Sequence, residues 1–297
     1  MLINESLLDR PESGHVYLSV SVVIFKPNLA LLQRTLDSLR CSVANLRAQR
    51  GHALSVSVVL IDNGADFISD TWASAFKQDA IEYHLMVGHG NIGYGRGHNL
   101  AIEYLTSDYH LILNPDVEMA EDALAQALNF FDKHSAVAAI APHVSGEDGM
   151  TQYLCRRYPT VLDLFARGFL RGKAQALFAR RLARYELREL IGSKPTVHER
   201  VGQTMDTFIS PPIISGCYMM FRMGVLKTIG GFDPRYFLYF EDYDLSLRAS
   251  AVANIAYVPA VRVVHFGGGA SKKGWCHICM FAMSTYRFFN RFGWRWL

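Results

Sequence analysis

The sequence contains no long hydrophobic run, and its cysteines are few and odd in number. No stretch of about 18 consecutive apolar residues occurs, so we expect no membrane-spanning segment. Residues 1–14 are polar and lack the apolar centre of a signal peptide. Five cysteines in a chain without such a signal indicate reduced thiols, and we therefore expect a cytoplasmic protein.

Acidic residues are absent from the last part of the chain, where none follows Asp244. Seven basic residues remain there: Arg248, Arg262, Lys272, Lys273, Arg287, Arg291 and Arg295. The formal net charge of the whole chain is only +3, which does not indicate a nucleic-acid partner. The local excess of positive charge favours a phosphate-bearing ligand, or contact with the anionic inner face of a membrane.

The N-terminal half alternates predicted strands and helices. Residues 18–25 and 54–61 are short, β-branched apolar runs, which are typical of strands buried on both faces. Residues 81–87 and 110–113 are two further predicted strands, and a helix is expected at 100–105. This order predicts an α/β fold, in which a mostly parallel, Rossmann-like sheet is flanked by helices. Ligands of such sheets bind at the carboxyl ends of the strands.

The C-terminal half is predicted to be less regular. Residues 160–191 look helical and rich in arginine, residues 213–222 and 255–265 are predicted strands, and residues 275–292 are a predicted final helix. We therefore expect one α/β domain over residues 1–270, with a basic helical insertion at about 160–205. A C-terminal aromatic and basic helix and tail are expected at 271–297.

A carboxylate follows the fourth predicted strand, in the sequence Asn114-Pro115-Asp116. At the ligand-binding edge of the sheet, such an oxygen ligand suits a Mg²⁺ or Mn²⁺ ion that bridges a diphosphate. Taken alone, the three residues are also typical of a plain turn.

Three acids in four residues, Glu241, Asp242 and Asp244, follow an aromatic-rich segment at 236–240. Aromatic surroundings raise the pKa of a carboxyl group and favour its use as a general base. Acids also favour the first turn of a helix, and a helix is predicted to begin at Asp242. The two interpretations are compatible.

A histidine followed by three glycines ends the last predicted strand, at residues 265–269. The imidazole of His265 could bind a metal ion together with Asp116, while the glycines would let the backbone approach a phosphate. The alternative is a histidine that makes only a backbone hydrogen bond.

Residues 88–93 read Gly-His-Gly-Asn-Ile-Gly, which matches the fingerprint of dinucleotide-binding oxidoreductases. That fingerprint normally follows the first strand, whereas this segment follows the third predicted strand. The glycines continue at Gly95 and Gly97, so we expect the helix to begin too late for a pyrophosphate turn. An NAD(P)-dependent oxidoreductase would also leave the acids at 241–244 and His265 without a role, and we disfavour it.

Five segments together resemble family 2 of the inverting GT-A glycosyltransferases. They are residues 22–25, 61–64, 91–99, 113–117 and 231–245. The resemblance runs from about residue 18 to about residue 270. The loop at 91–99, the Asn-Pro-Asp-Val motif and the aromatic and acidic block at 232–245 look particularly like bacterial rhamnosyltransferases that use dTDP-L-rhamnose. The implied fold is GT-A, the fold of transferases that use nucleotide diphosphosugars.

The resemblance implies a role for each matching residue. Asp62 contacts the base of the nucleotide, Asp116 and His265 hold Mg²⁺ or Mn²⁺, and Asp242 is the catalytic base. The remaining donor contacts come from Asn91, Gly93, Gly95, Gly97, Asn99 and Asn114. Two positions depart from the family pattern. Asn114 replaces the first Asp of the metal motif, and residues 24–28 replace a Thr-Tyr-Asn type ending of the first strand.

The resemblance also implies an inverting transfer in a single displacement. The cation stabilises the departing diphosphate, and Asp242 takes the proton of the acceptor hydroxyl. The implied donor is dTDP-L-rhamnose, and the implied acceptor is a saccharide or lipid-linked saccharide in the synthesis of cell-surface polysaccharide or lipopolysaccharide. A transferase for another nucleotide-activated sugar and a catalytically inactive sugar-nucleotide binder are the alternatives.

Residues 270–297 contain eight aromatic residues, five basic residues and no acid. The spacing of their apolar residues predicts a stripe that packs against the domain, formed by Trp275, Ile278, Ala282, Tyr286 and Phe289. The tail and the basic helix at 167–188 are the parts that we expect to contact an anionic membrane peripherally.

Overall fold

The computed structural model describes residues 14–51, 53–64, 72–170, 172–192, 208–267 and 274–297. Several features named above lie outside the described residues. They are the N-terminal segment up to residue 13, part of the predicted insertion, Arg171, and Gly268, Gly269, Lys272 and Lys273.

Eight strands within the described residues form one sheet. In chain order they are β1 (Val16–Ile24), β2 (Leu54–Asp62), β3 (Glu82–Met86), β4 (Tyr109–Leu113), β5 (Val117–Met119), β6 (Val137–Ser145), β7 (Tyr218–Arg222) and β8 (Asn254–His265). Their order across the sheet is β3-β2-β1-β4-β7-β6-β8-β5. Strands β3, β2, β1 and β4 are parallel to one another, and β6 is parallel to β8. Strands β7 and β5 run antiparallel to their neighbours. The predicted α/β fold with its mostly parallel sheet is confirmed.

Helices cover both faces of this sheet. They are α1 (Leu29–Arg50), α2 (Ala73–Gln78), α3 (Tyr94–Tyr104), α4 (Ala123–Lys133), α5 (Val161–Phe169), α6 (Lys173–Leu177), α7 (Ala179–Tyr185), α8 (Arg188–Ile191), α9 (Met223–Thr228), α10 (Glu241–Ser250) and α11 (Trp275–Phe292). No helix of the described residues combines the length and hydropathy needed to cross a bilayer.

Helix α3 begins at Tyr94, six residues before its predicted start, and contains both Gly95 and Gly97. The helix therefore does not start too late for a pyrophosphate turn, contrary to the prediction. Glycine is required at both positions because neighbouring side chains lie too close to leave room for a Cβ atom. A Cβ on Gly95 would lie 2.8 Å from the Cβ of Phe232, and one on Gly97 would lie 2.8 Å from Cγ2 of Val23.

The apolar runs of β1 and β2 are buried on both faces, as predicted. One face packs with the leucines of α1, and the other packs with Ala101 and Ile102 of α3. Each fully buried Leu, Ile or Val side chain contributes about 1.5–3 kcal/mol to folding. Strands β1, β2 and β4 are parallel neighbours, so their carboxyl ends lie side by side at one edge of the sheet. Packing on both faces stabilises this arrangement.

A polar network lies inside this apolar layer. The hydroxyl of Ser21 lies 2.7 Å from Nδ1 of His98 and 2.8 Å from Nε2 of His110. Burial lowers the pKa of His98 well below its usual value and that of His110 to about 3, so both rings are neutral. The network ties α3 to β1 and β4 directly behind the edge where ligands are expected.

Helix α11 packs on the segment that precedes α10, but through a different face from the predicted one. Its buried residues are Ser284, Phe288 and Phe289, and the two phenylalanines form a cluster with Tyr236, Phe240 and Tyr243. Of the predicted stripe, only Phe289 is buried. Trp275 is 77% exposed, Ile278 44% and Tyr286 60%, and Ala282 is exposed as well. Both faces of α11 are apolar, so the spacing could not identify the packed one.

Candidate active site

The segment before the three acids adopts a left-handed backbone. Tyr239 has φ 72° and Phe240 has φ 64°, and α10 begins at the next residue. For residues with a side chain this conformation costs about 1–2 kcal/mol each. Burial of the Phe240 ring against Tyr243 and Phe288 offsets that cost. The strained turn aims the first residues of α10 at the edge of the sheet.

Asp242 is the second residue of α10, and both of its carboxylate oxygens accept backbone hydrogen bonds. Oδ2 lies 3.0 Å from the amide nitrogen of Gly216, and Oδ1 lies 3.0 Å from that of Tyr243. Burial raises the pKa of Asp242, while the Gly216 amide and the positive charge of Arg156 act in the opposite direction. Such a carboxylate is a stronger base than an exposed aspartate and is held in one orientation.

The neighbouring acids differ from Asp242 in their surroundings. Burial, followed by the charge of Asp242, raises the pKa of Glu241 to about 8, and its Oε2 atom has no hydrogen-bond partner. Glu241 is therefore neutral at pH 7. Asp244 instead makes ion pairs with Arg248 at 2.5 Å and with Arg291 of α11 at 2.8 Å. Of the three acids, Asp242 alone has both carboxylate oxygens held by backbone hydrogen bonds and no ion pair with an arginine.

Asp116 and His265 are brought together by the pairing of β5 with β8. Val117 lies opposite His265 in this register, and the amide of Phe266 donates to the carbonyl oxygen of Asp116 at 2.9 Å. The Nε2 atom of His265 lies 3.5 Å from Oδ1 of Asp116, which is buried without a hydrogen-bond partner. The predicted pair of Asp116 and His265 therefore lies close together, and one buried carboxylate oxygen of Asp116 accepts no hydrogen bond.

The space between the two side chains is narrow. A Cβ on Gly267 would lie 2.5 Å from Nε2 of His265 and 2.6 Å from Oδ2 of Asp116. Among the described residues, no group of three or more His, Cys, Asp or Glu side chains is placed to hold a metal ion. Two protein ligands are nevertheless sufficient for Mg²⁺ or Mn²⁺ when a diphosphate supplies further oxygens. The residues present fit a cation of this type.

Tyr94, the first residue of α3, connects the two groups, although its sequence position suggested no role for its side chain. Its hydroxyl donates to the carbonyl oxygen of Gly216 at 2.6 Å and lies 3.0 Å from Oδ1 of Asn114. Burial raises the pKa of Tyr94 well above its usual value, and the charges of Glu241 and Asp242 add to this effect. Gly216 in turn holds Asp242, so one chain of hydrogen bonds joins the Asn-Pro-Asp turn to the candidate base.

The turn before α3 and the first two turns of that helix pack closely on the protein, at Gly93, Gly95, Gly97 and Asn99. Gly93 has φ 92°, and a Cβ there would lie 2.4 Å from the carbonyl oxygen of Phe237. The side chain of Asn99 bonds both backbone groups of Phe232, at 2.8 Å each. Together with the close contacts of Gly95 and Gly97, these bonds fix the start of α3 against the segment that leads to the acids.

The end of β2 meets the turn before α3. Oδ1 of the buried Asp62 accepts a hydrogen bond from the amide of Gly64 at 2.7 Å. The side-chain Nδ2 atom of Asn63 donates to the carbonyl oxygen of Gly93 at 3.0 Å, and Nε2 of His89 lies 2.9 Å from Oδ1 of Asn63. Asn91 is exposed and accepts from the amide of Gly93 at 3.2 Å.

This geometry defines a class of protein. A mixed sheet presents a cation-competent Asp–His pair and a separate buried carboxylate at one edge, as in enzymes that displace a diphosphate with a hydroxyl. The family model of glycosyl transferase family 2 matches residues 21–230. The chain therefore belongs to glycosyl transferase family 2 and is a glycosyltransferase.

Two curated proteins are similar in sequence. Rhamnosyltransferase WbbL of Escherichia coli is 27% identical over 186 residues, which span 60% of this chain and 62% of that protein. The N-acetylglucosaminyl-diphospho-decaprenol L-rhamnosyltransferase of Mycobacterium tuberculosis is 25% identical over 248 residues, which span 78% of this chain and 74% of that protein.

A solved structure confirms the GT-A fold. GalNAc-T7, crystallised with UDP, GalNAc and Mn²⁺, superposes with a TM-score of 0.58 at 14% identity. The superposition covers 85% of this chain and 44% of that one.

Proposed function

We propose that this chain transfers L-rhamnose from dTDP-L-rhamnose, with inversion, onto a saccharide or lipid-linked saccharide for cell-surface polysaccharide or lipopolysaccharide. The observation that carries the proposal is the hydrogen-bond chain from Asn114 through Tyr94 and Gly216 to Asp242. It holds a candidate base and a candidate cation site in fixed relation, which a displacement of diphosphate requires. The sugar is suggested by the two similar proteins, which are both named rhamnosyltransferases.

Asp116 and His265 would hold Mg²⁺ or Mn²⁺, through carboxylate oxygen and Nε2. When bound, the cation neutralises the negative charge that develops on the departing diphosphate. The orphaned Oδ1 of Asp116 and the solvent-accessible cleft at His265 support this assignment. A divalent cation also accompanies the nucleotide in the GalNAc-T7 structure.

Asp242 would accept the proton of the acceptor hydroxyl as its oxygen attacks the anomeric carbon. Its two backbone hydrogen bonds leave lone pairs free for that proton. Asp62 would contact the base of the nucleotide. Asn91 and Asn114 would bind the donor, and Gly93, Gly95, Gly97 and Asn99 would shape the start of α3 beside it.

We also propose that residues 1–270 form the catalytic domain, with a basic helical insertion at about 160–205, and that residues 271–297 form a membrane-facing helix and tail. The exposed face of α11 supports a peripheral contact, since it contains Trp275, Ile278 and Tyr286. The tail lies against α5 through a hydrogen bond from the amide of Val161 to the carbonyl of Arg295. Phe165, Leu177 and two arginines of α7 are exposed as well, and we propose that they add apolar and basic side chains to this contact.

Competitive binding of dTDP, UDP and GDP, followed by transfer assays with the matching rhamnose, glucose and mannose donors, tests the proposal. We expect dTDP to bind most tightly, and dTDP-L-rhamnose to be consumed with inverted configuration in the product. Preference for GDP or UDP would indicate another nucleotide-activated sugar. Tight dTDP binding without turnover on any acceptor would indicate an inactive sugar-nucleotide binder.

A further inference from the structure

Gln152 is fixed beside the candidate cation site by a tight hairpin that follows β6. The backbone amide nitrogen of Gln152 donates to the carbonyl oxygen of Val144 at 2.8 Å, and the backbone amide of Gly146 donates to the carbonyl oxygen of Met150 at 2.8 Å. Val144 lies next to Val263 in the pairing of β6 with β8. The hairpin therefore places the Gln152 side chain at the end of β8, two residues beyond Val263.

The side chain of Gln152 makes two hydrogen bonds, and both are to His265. Its Nε2 atom donates to the carbonyl oxygen of His265 at 3.0 Å, and its Oε1 atom lies 2.9 Å from Nδ1 of the ring. A carbonyl oxygen can only accept, so the amide nitrogen of Gln152 must face it. The amide oxygen must then face the ring, and Nδ1 of His265 must carry the proton.

This protonation leaves Nε2 of His265 with a lone pair. That atom faces Oδ1 of Asp116, at 3.5 Å, across the gap that Gly267 leaves open. A ring with its proton on Nε2 would instead present an N–H group to the gap and could not bind a cation there. The cleft bordered by Gln152, His265 and Gly267 has a volume of about 440 Å³ and is open to solvent, which provides an entry path.

We propose that Gln152 is a positioning residue for the cation site: it selects the Nδ1–H form of His265 and holds the ring with Nε2 directed at Asp116. This inference rests on the cation site proposed above. It assigns Gln152 the part that hydrogen-bonded partners of metal-binding histidines play in general, where their loss lowers metal affinity by about 10–100-fold.

The first test measures the ring itself, without metal. Nitrogen NMR of protein labelled with ¹⁵N-histidine, at a pH where His265 is neutral, distinguishes a protonated from an unprotonated ring nitrogen. We expect His265, identified by its absence in His265→Gln, to carry the proton on Nδ1. Gln152→Met should populate the Nε2–H form, whereas Gln152→Glu should retain Nδ1–H because a carboxylate oxygen can still accept from it. A wild-type ring with its proton on Nε2 would overturn the proposal.

The second test measures Mn²⁺ affinity by electron paramagnetic resonance, with inorganic pyrophosphate present to supply diphosphate oxygens without a nucleotide base. We expect Gln152→Met to bind Mn²⁺ about 10–100-fold more weakly than the wild type, and Gln152→Glu to bind it more tightly than Gln152→Met. Gln126→Met is the matched control, since Gln126 of α4 bonds Asp122 and neither residue lines the cleft.

The outcomes separate the two proposals. A wild-type protein that binds no Mn²⁺ would contradict the cation site itself. Equal Mn²⁺ affinities of the wild type and Gln152→Met would contradict only the proposed role of Gln152. Its hydrogen bonds would then serve only to connect the hairpin to β8.

Discussion

The amide nitrogen of Gly216 lies 3.0 Å from Oδ2 of Asp242 and donates a hydrogen bond to it. The bond stabilises the charged form of a carboxylate whose burial favours the neutral form, so the two effects oppose each other in the pKa of Asp242. It also fixes the direction in which the remaining lone pairs point. In the proposed role of base, Asp242 would accept a proton without reorganising.

Replacement of Asp242 by Asn is expected to lower kcat by about 10²–10⁴-fold, because the amide keeps the size of the side chain but cannot accept the proton. Donor binding, measured by calorimetry, should persist, and the melting temperature identifies any unfolded variant. Asp37→Asn, at a partly exposed position of α1, is the control. Turnover of Asp242→Asn near the wild-type rate would place the base elsewhere.

Asp116→Asn and His265→Gln are each expected to weaken Mn²⁺ binding in the presence of pyrophosphate by at least about tenfold, or about 1.4 kcal/mol. Each variant removes one of the two protein ligands proposed for the cation. His84→Gln on β3, at the far edge of the sheet, should leave the affinity unchanged. If His265→Gln binds Mn²⁺ like the wild type, His265 has a structural role only.

Tyr94→Phe is expected to lower kcat by about tenfold, with a smaller effect on donor affinity. The variant leaves Gly216 and Asn114 without the hydroxyl that connects them, and the Gly216 amide then holds Asp242 less firmly. Steady-state kinetics compare it with Tyr104→Phe, which makes the same change on the exposed last turn of the same helix. Equal kcat values for the two variants would argue against a link between the two groups.

Glu241 is expected to make stability depend on pH. Its pKa is raised from 4.5 to about 8, so the folded protein holds this proton more tightly than the unfolded chain. The stability associated with it is complete below about pH 4.5 and is lost as the pH rises through about 8. Between about pH 5 and about pH 8.5, the melting temperature should therefore decrease less with rising pH for Glu241→Gln than for the wild type. Glu103→Gln, at an exposed position, is the control and should behave like the wild type. Parallel curves for all three proteins would show that Glu241 is ionised in the folded state.

The exposed face of α11 is expected to bind vesicles of anionic lipid. A variant with Trp275, Tyr286 and Trp296 changed to Ser should float with vesicles at least about tenfold less, because three aromatic side chains no longer enter the interface. Tyr104→Ser removes an equally exposed ring from another face and is the control. High salt should weaken the wild-type interaction. Flotation that is indifferent to both the variant and salt would exclude this face.

The sequence was most informative where burial restricts residue type. Strands β1 and β2 are largely buried on both faces, and the runs at 18–25 and 54–61 are accordingly apolar apart from two serines in each. Asp116 and His265 were noticed because they lie at or shortly after the ends of the predicted strands at 110–113 and 255–265. Strand β5 could not be detected, since three residues carry no periodicity and its pairing depends on the distant β8.

Residues that act through geometry alone could not be predicted. Gln152 is a neutral residue in a hairpin. It is 113 positions away from His265 in the sequence, and only the fold brings the two side chains into contact. The role of Tyr94 depends on two acceptors from separate segments. The packed face of α11 was mistaken because its choice depends on the position of Phe240, which follows from the left-handed turn before α10.

Gly267 gives the cation site a point of steric control. Its backbone does not have a positive φ, so alanine can adopt the same conformation. The added methyl group would nonetheless occupy the gap between Asp116 and His265. A single carbon atom at this position would thus fill the space between the two side chains, while both residues are kept in the sequence. The contribution of the cation to transfer can in this way be separated from that of the residues that bind it.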